Sequence, residues 1–141
     1  MAQEAKDFYD RGNYHEAERS YEKALLSAPN NVFILSNLGL VLFKLGKLKG
    51  SEEAFKKAIA EAPEDTFSRT TLGIVYYQEA RYDDAIDQLT KARENDPGNA
   101  QLRGVERELR KAIDLDQTKY PAGDYLTPLE EERLQNAVIL Q

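Results

Sequence analysis

The sequence predicts an all-α fold made of repeated helical units, and three observations predict it. Pro29, Pro63 and Pro97 recur with a spacing of 34 residues. Three segments align on those prolines without a gap: GNYHEAERSYEKALLSAPNN from Gly12, GKLKGSEEAFKKAIAEAPED from Gly46 and ARYDDAIDQLTKARENDPGN from Ala80. Within them, small, bulky apolar and proline positions fall in common columns, as a chain of stacked supersecondary units requires. Hydrophobic residues make up 41% and charged residues 31% of the 141, which is ordinary for a folded domain and too apolar for a disordered one.

Each column has a physical reading. Gly12, Gly46 and Ala80 stand where one helix ends and the chain turns, a place that favours positive φ; alanine there departs from the pattern at a cost of about 1 kcal/mol. Tyr14, Leu48 and Tyr82 form the next column. Ala17/Ala24, Ser51/Ala58 and Ala85/Ala92 lie seven apart on one helical face, where small side chains let two helices approach. Tyr21, Phe55 and Leu89 fill the gap between them. Each proline closes a second helix, because it cannot donate into the ladder, and Asn31, Asp65 and Asn99 can cap the next one. The partner helices upstream are predicted at about 32–45 and 66–79, where Leu38-Gly39 matches Leu72-Gly73 and Leu42 matches Tyr76. In the first repeat only Ala5 and Phe8 remain of this pattern, so the chain reads as starting about three residues short of a full unit.

These columns resemble the tetratricopeptide repeat family, and the likeness covers about residues 1–99. It implies antiparallel helix pairs stacked into a right-handed superhelical α-solenoid, with the first helix of each pair lining a concave groove. The expected organisation is three repeats, 1–31, 32–65 and 66–99, closed by a capping helix over 100–117. In that helix Leu102, Val105, Leu109, Ala112 and Ile113 form an apolar stripe, the other side is charged, and the small columns are gone, as a terminal unit requires.

Residues 118–126 read as a turn-rich connector. Thr127, Pro128 and Glu130 then supply a capping box with proline at the first helical position, opening an apolar helix over 127–141. Its Leu129, Leu134, Ala137, Val138 and Leu140 need a cover. The body of the chain, a second copy and another partner are the candidates, so self-occlusion and self-association through 127–141 both stay open.

Carrying the family geometry over residue by residue gives a partner-binding set: Tyr9 in the first repeat, Phe33, Asn37, Leu40 and Phe43 in the second, and Phe67, Thr71, Ile74 and Tyr77 in the third. Phe33 matches Phe67, Leu40 matches Ile74 and Phe43 matches Tyr77, which is a ladder of large apolar groups on a face the fold is expected to leave open. Three readings compete for it: ordinary packing between helices, a groove for an amphipathic helix or extended peptide, and a groove filled by 127–141. Family members that bind chaperone C-termini grip a carboxylate with basic side chains and asparagines. The matching positions here are Ala2, Lys6, Asn37, Phe67 and Thr71, of which only Asn37 agrees in type.

Catalytic and cofactor chemistry finds no support. There is no cysteine, His15 is the single histidine and reads as a surface residue, and no glycine-rich phosphate loop occurs, so no metal and no cofactor is expected. The pairs Glu52-Glu53 and Asp83-Asp84 are expected on solvated outer faces. A net charge of −6 disfavours nucleic acid as the main ligand. No apolar run is long enough to span a bilayer and Met1 to Arg11 does not read as a signal peptide, so the default expectation is cytoplasmic. The expected function is a protein–protein interaction module, adaptor, scaffold or chaperone-like, that binds a peptide or amphipathic helix and is not an enzyme. The alternative is a structural subunit docking through the 127–141 helix or the stack ends.

Overall fold

The computed structural model describes residues 2–118, 132–133 and 135–136. Thr118, expected to open the connector, ends α7; the rest of the connector and most of the apolar terminal helix, including Leu129, Leu134, Ala137, Val138 and Leu140, lie outside the described residues. Seven helices follow one another in the described part: α1 Ala2–Asp10, α2 Tyr14–Ser27, α3 Val32–Lys44, α4 Leu48–Glu61, α5 Thr66–Gln78, α6 Tyr82–Asn95 and α7 Ala100–Thr118. No strand occurs among the described residues. The chain forms two compact units that divide between Ser68 and Arg69.

In the first unit, α1 packs on α2, α2 on α3 and α3 on α4. Its core holds Ala5, Ala17, Tyr21, Ala24, Ile34, Leu38, Val41, Leu42 and Ala54, with Phe8, Tyr9 and Tyr14 packed against it. The small columns do what their size allows. Ser51, fully buried, donates its hydroxyl to the Gly39 carbonyl at 2.7 Å, tying α4 to α3. A Cβ on Gly39 would stand 2.8 Å from Cε2 of Phe55, whose ring is fully buried. Glycine at 39 is therefore a steric requirement of the α3–α4 contact.

The turns between paired helices share one geometry. Gly12 and Gly46 have φ of 79° and 75°, and Ala80, in the second unit, has 59°. At Gly46 the amide of the glycine donates to Phe43 and that of Lys47 donates to Leu42, at 3.0 and 2.9 Å. The amides of Gly12 and Asn13 do the same to Tyr9 and Phe8, and those of Ala80 and Arg81 to Tyr77 and Tyr76. This double bond from the left-handed residue and its successor satisfies carbonyls that a helix end leaves without partners. Asn31 and Asn99 accept from the amides of Ile34 and Leu102 at 3.0 and 2.9 Å, as caps should. Asp65 instead accepts from the Ser68 hydroxyl at 2.6 Å.

In the second unit α5 meets α6 at a looser version of the glycine contact, where a Cβ on Gly73 would lie 3.2 Å from Leu89. Helix α7 packs on α6 with Leu102, Val105, Leu109, Ala112 and Ile113 buried, the stripe the sequence predicts. Tyr82 donates its hydroxyl to the buried carboxylate of Asp116 at 2.6 Å, which fixes the far end of α7.

One surface expectation is corrected. Glu53, Asp83 and Asp84 are exposed, but Glu52 is buried and ion-pairs with Lys56 at 2.8 Å and Lys49 at 3.7 Å. Lysines three residues before and four after it stand on its own helical face, so its carboxylate meets ammonium groups where the sequence reading places water.

Two stability predictions follow from the backbone. Replacing Ala80 with glycine removes a Cβ from left-handed backbone and is expected to raise unfolding stability by about 0.5–1 kcal/mol in urea titrations. Gly39→Ala drives a methyl group into the Phe55 ring and is expected to lower stability by about 1–3 kcal/mol, with part of the loss recovered in the Gly39→Ala/Phe55→Leu double variant.

Candidate functional site

The proposed partner-binding residues lie on the first helices of the pairs, α1, α3 and α5. Helix α3 is apolar almost all round, so it is buried almost all round: Ile34, Leu35, Ser36, Leu38, Gly39, Leu40, Val41, Leu42 and Phe43 are all buried. Leu40 and Phe43, expected on an open face, are thus withdrawn from solvent. Phe33, about two turns before Leu40, is the contrast at 55% exposed. Behind it the Asn37 amide donates to the Phe33 carbonyl at 2.7 Å, so this asparagine is held against its own helix. Tyr9 is half-buried, with its ring 5.4 Å from that of Tyr14. Phe67, also half-buried, sets its edge against Phe55 at 6.2 Å, which makes it part of the packing around α4.

In the second unit Thr71, Ile74 and Tyr77 are buried, and Tyr77 stacks at a tilt on Tyr82 with centroids 5.8 Å apart. The set expected as an open ladder therefore contains one exposed member, Phe33, three half-buried members, Tyr9, Asn37 and Phe67, and five buried ones. Among the described residues the other large apolar side chain open to solvent is Leu26, at the end of α2, which the column reading does not single out.

Electrostatics near α1 and α3 follow from burial. Burial, then the neighbouring Tyr14, Asp10 and Tyr21, push the Tyr9 phenol up from 10.0 to about 12. Burial and then Asp10 do the same for Tyr21. Burial also holds the Lys44 ammonium, at the end of α3, below the usual lysine range. Lys6, one of the positions matched to the carboxylate-gripping members, pairs with Asp10 at 2.8 Å, and that hydrogen bond raises its affinity for a proton. His15 is exposed. Among the described residues no group of His, Cys, Asp or Glu is placed to hold a metal ion, and no helix is long and apolar enough to cross a membrane.

The arrangement defines a class: a helical repeat protein whose paired helices meet through small residues every 34 positions. The chain belongs to the tetratricopeptide repeat family, whose models match residues 3–66 and, in a second match, residues 42–109. No curated protein matches the sequence. Solved structures of similar fold include the tetratricopeptide domain of Sgt2 from Aspergillus fumigatus, 21% identical with a TM-score of 0.77, over 90% of this chain and 86% of that one. The first such domain of Spaghetti (RPAP3), bound to an HSP90 peptide, is 20% identical with a TM-score of 0.74, over 80% and 90%. The Yersinia enterocolitica type III secretion chaperone SycD, in complex with a peptide of the translocator YopD, is 12% identical with a TM-score of 0.73, over 84% and 90%.

The tyrosines give a pH prediction. Their raised values mean that the fold favours the neutral phenols, so the stability they contribute is whole below pH 10.0 and is lost as pH rises toward 12. The urea midpoint is expected to fall across that interval, and Tyr21→Phe is expected to blunt the fall.

Proposed function

We propose that this chain is a protein-interaction module that takes a peptide or amphipathic helix against the apolar first helices of its repeats. The observation that carries the reading is Phe33. It is a large aromatic group 55% exposed on a helix that is otherwise buried on nearly every side. An exposed aromatic side chain is a ready anchor for a partner's apolar residues. The peptide complexes formed by the similar Spaghetti (RPAP3) and SycD domains support the same use of the fold.

In this reading Phe33 is engaged first, with Tyr9, Asn37 and Phe67 as further contacts in the first unit. Leu40 and Phe43 are reached by a partner that takes over their burial. Thr71, Ile74 and Tyr77 repeat the same columns in the second unit and serve a partner in the same way. The ligand is apolar in its contacts. The positions matched to the carboxylate-gripping members carry Ala2, Lys6, Asn37, Phe67 and Thr71, which leaves too little positive charge to hold a C-terminal carboxylate. The finer assignments, adaptor, scaffold or chaperone-like and cytoplasmic, belong to the same proposal.

A peptide array probed with the full chain, followed by affinity measurements on the best binder, tests this. Phe33→Ala is expected to leave the fold intact and to weaken that binder by about tenfold or more, the loss of one buried aromatic anchor, with little dependence on salt. Unchanged affinity in the variant would remove Phe33, and with it the proposed face, from the interaction.

A further inference from the structure

The 34-residue register continues into α7, and the residues it places there change in kind. The columns holding Leu38, Gly39 and Leu42 in α3, and Leu72, Gly73 and Tyr76 in α5, hold Glu106, Arg107 and Arg110 in α7. In α3 and α5 the glycine of this column meets Phe55 or Leu89 of the following helix. In α7 the same face is charged and borders a cleft of about 630 Å³ within the second unit. Five cations line it: Arg93 from α6 and Arg103, Arg107, Arg110 and Lys111 from α7. Glu106 and Asp114 are its two carboxylates, so the lining carries +3 in a chain whose net charge is −6.

These charges are not equivalent. Glu106 is buried and holds Arg93 at 3.4 Å and Arg110 at 3.1 Å, so those two guanidinium groups are fixed in place by a carboxylate of the cleft floor. Arg103, Arg107 and Lys111 are exposed and, among the described residues, make no ion pair. They stand four residues apart on one face of α7, about 6 Å from one to the next along the axis. An extended chain advances about 3.3 Å per residue, so carboxylates at every second position match that step.

We propose that this cleft is a second docking site, separate from the apolar face of α3, and that its occupant is an extended acidic segment of a partner protein with carboxylates at alternate positions. Charge complementarity selects it: arginine binds carboxylates through paired hydrogen bonds, and the lining's excess positive charge sits in an otherwise acidic molecule. Arg107 in the glycine column keeps a second helix from packing as α4 packs on α3, which favours an extended occupant. Single-stranded nucleic acid is the poorer match, because the lining contains no aromatic side chain for bases to stack on.

The test is fluorescence anisotropy on the full chain with a labelled peptide of alternating glutamate and alanine, a lysine–alanine peptide and a single-stranded oligonucleotide. The glutamate peptide is expected to bind, with affinity that falls as salt is added. The Arg103→Glu/Arg107→Glu variant is expected to weaken it by about tenfold or more at unchanged helix content, since steering and complementarity both reverse. Arg103→Gln/Arg107→Gln provides the same test at a smaller loss should the charge reversal disturb folding. Phe33→Ala is expected to leave this binding unchanged, which separates it from the apolar face. No binding of the glutamate peptide, binding by both arginine variants as tight as by the unaltered chain, or tighter binding of the oligonucleotide would overturn the proposal. So would a rise in affinity on Glu130→Lys/Glu131→Lys/Glu132→Lys, which would assign the cleft to the chain's own carboxylates.

Discussion

The close approach of α3 and α4 at Gly39 is the contact on which the first unit rests. Phe55 occupies the space a side chain at 39 would take, and Ser51 closes the contact by a hydrogen bond to the Gly39 carbonyl. Without that approach the ring of Phe55 and the apolar side of α3 would have no common interface. Interiors pack too densely for either to be covered by a small shift. The left-handed turn at Gly46 delivers α4 at the angle the contact needs, because its two backbone bonds fix where the chain leaves α3. The second unit repeats the device less tightly, with Gly73 against Leu89 and an alanine held at positive φ in the turn.

That packing explains how surface for interaction is distributed. A helix as apolar as α3 minimises its free energy by burying nearly its whole circumference, and it does so, leaving Phe33 at its first turn. Helix α7 is the opposite case. One side is apolar and buried on α6, while the other carries the arginines of the cleft. The same 34-residue register therefore leaves an exposed aromatic side chain in the first unit and a cationic stripe in the second.

Much of the fold was legible in the residue pattern. Helix spans, the positive φ at Gly12, Gly46 and Ala80, the caps at Asn31 and Asn99 and the buried stripe of α7 all follow from local chemistry, since each depends on neighbours within a turn or two. The columns aligned the residues of the candidate site but did not give their exposure. Leu40, Phe43, Ile74 and Tyr77 are buried, and Tyr77 meets Tyr82 of its partner helix. Phe67 was read as part of a ladder, yet its ring meets Phe55, twelve residues away on the preceding helix. Glu52 was read as part of a solvated face, and the second side of α7 only as charged. The first is buried among lysines, and the second is organised by the buried Glu106, whose pairing with Arg93 crosses from α7 to α6.

The sequence by itself determined that this is an all-α repeat protein, where the described helices run to within a residue or two, and which residues share a face. Periodicity and local hydrogen bonding decide those matters within a few residues of chain. The tertiary structure decided which faces remain available: Phe33 open, Leu40 and Phe43 closed, and the arginines of α7 gathered with Arg93 around one carboxylate. Exposure and charge clustering are sums over side chains distant in sequence, and no column of a repeat records them.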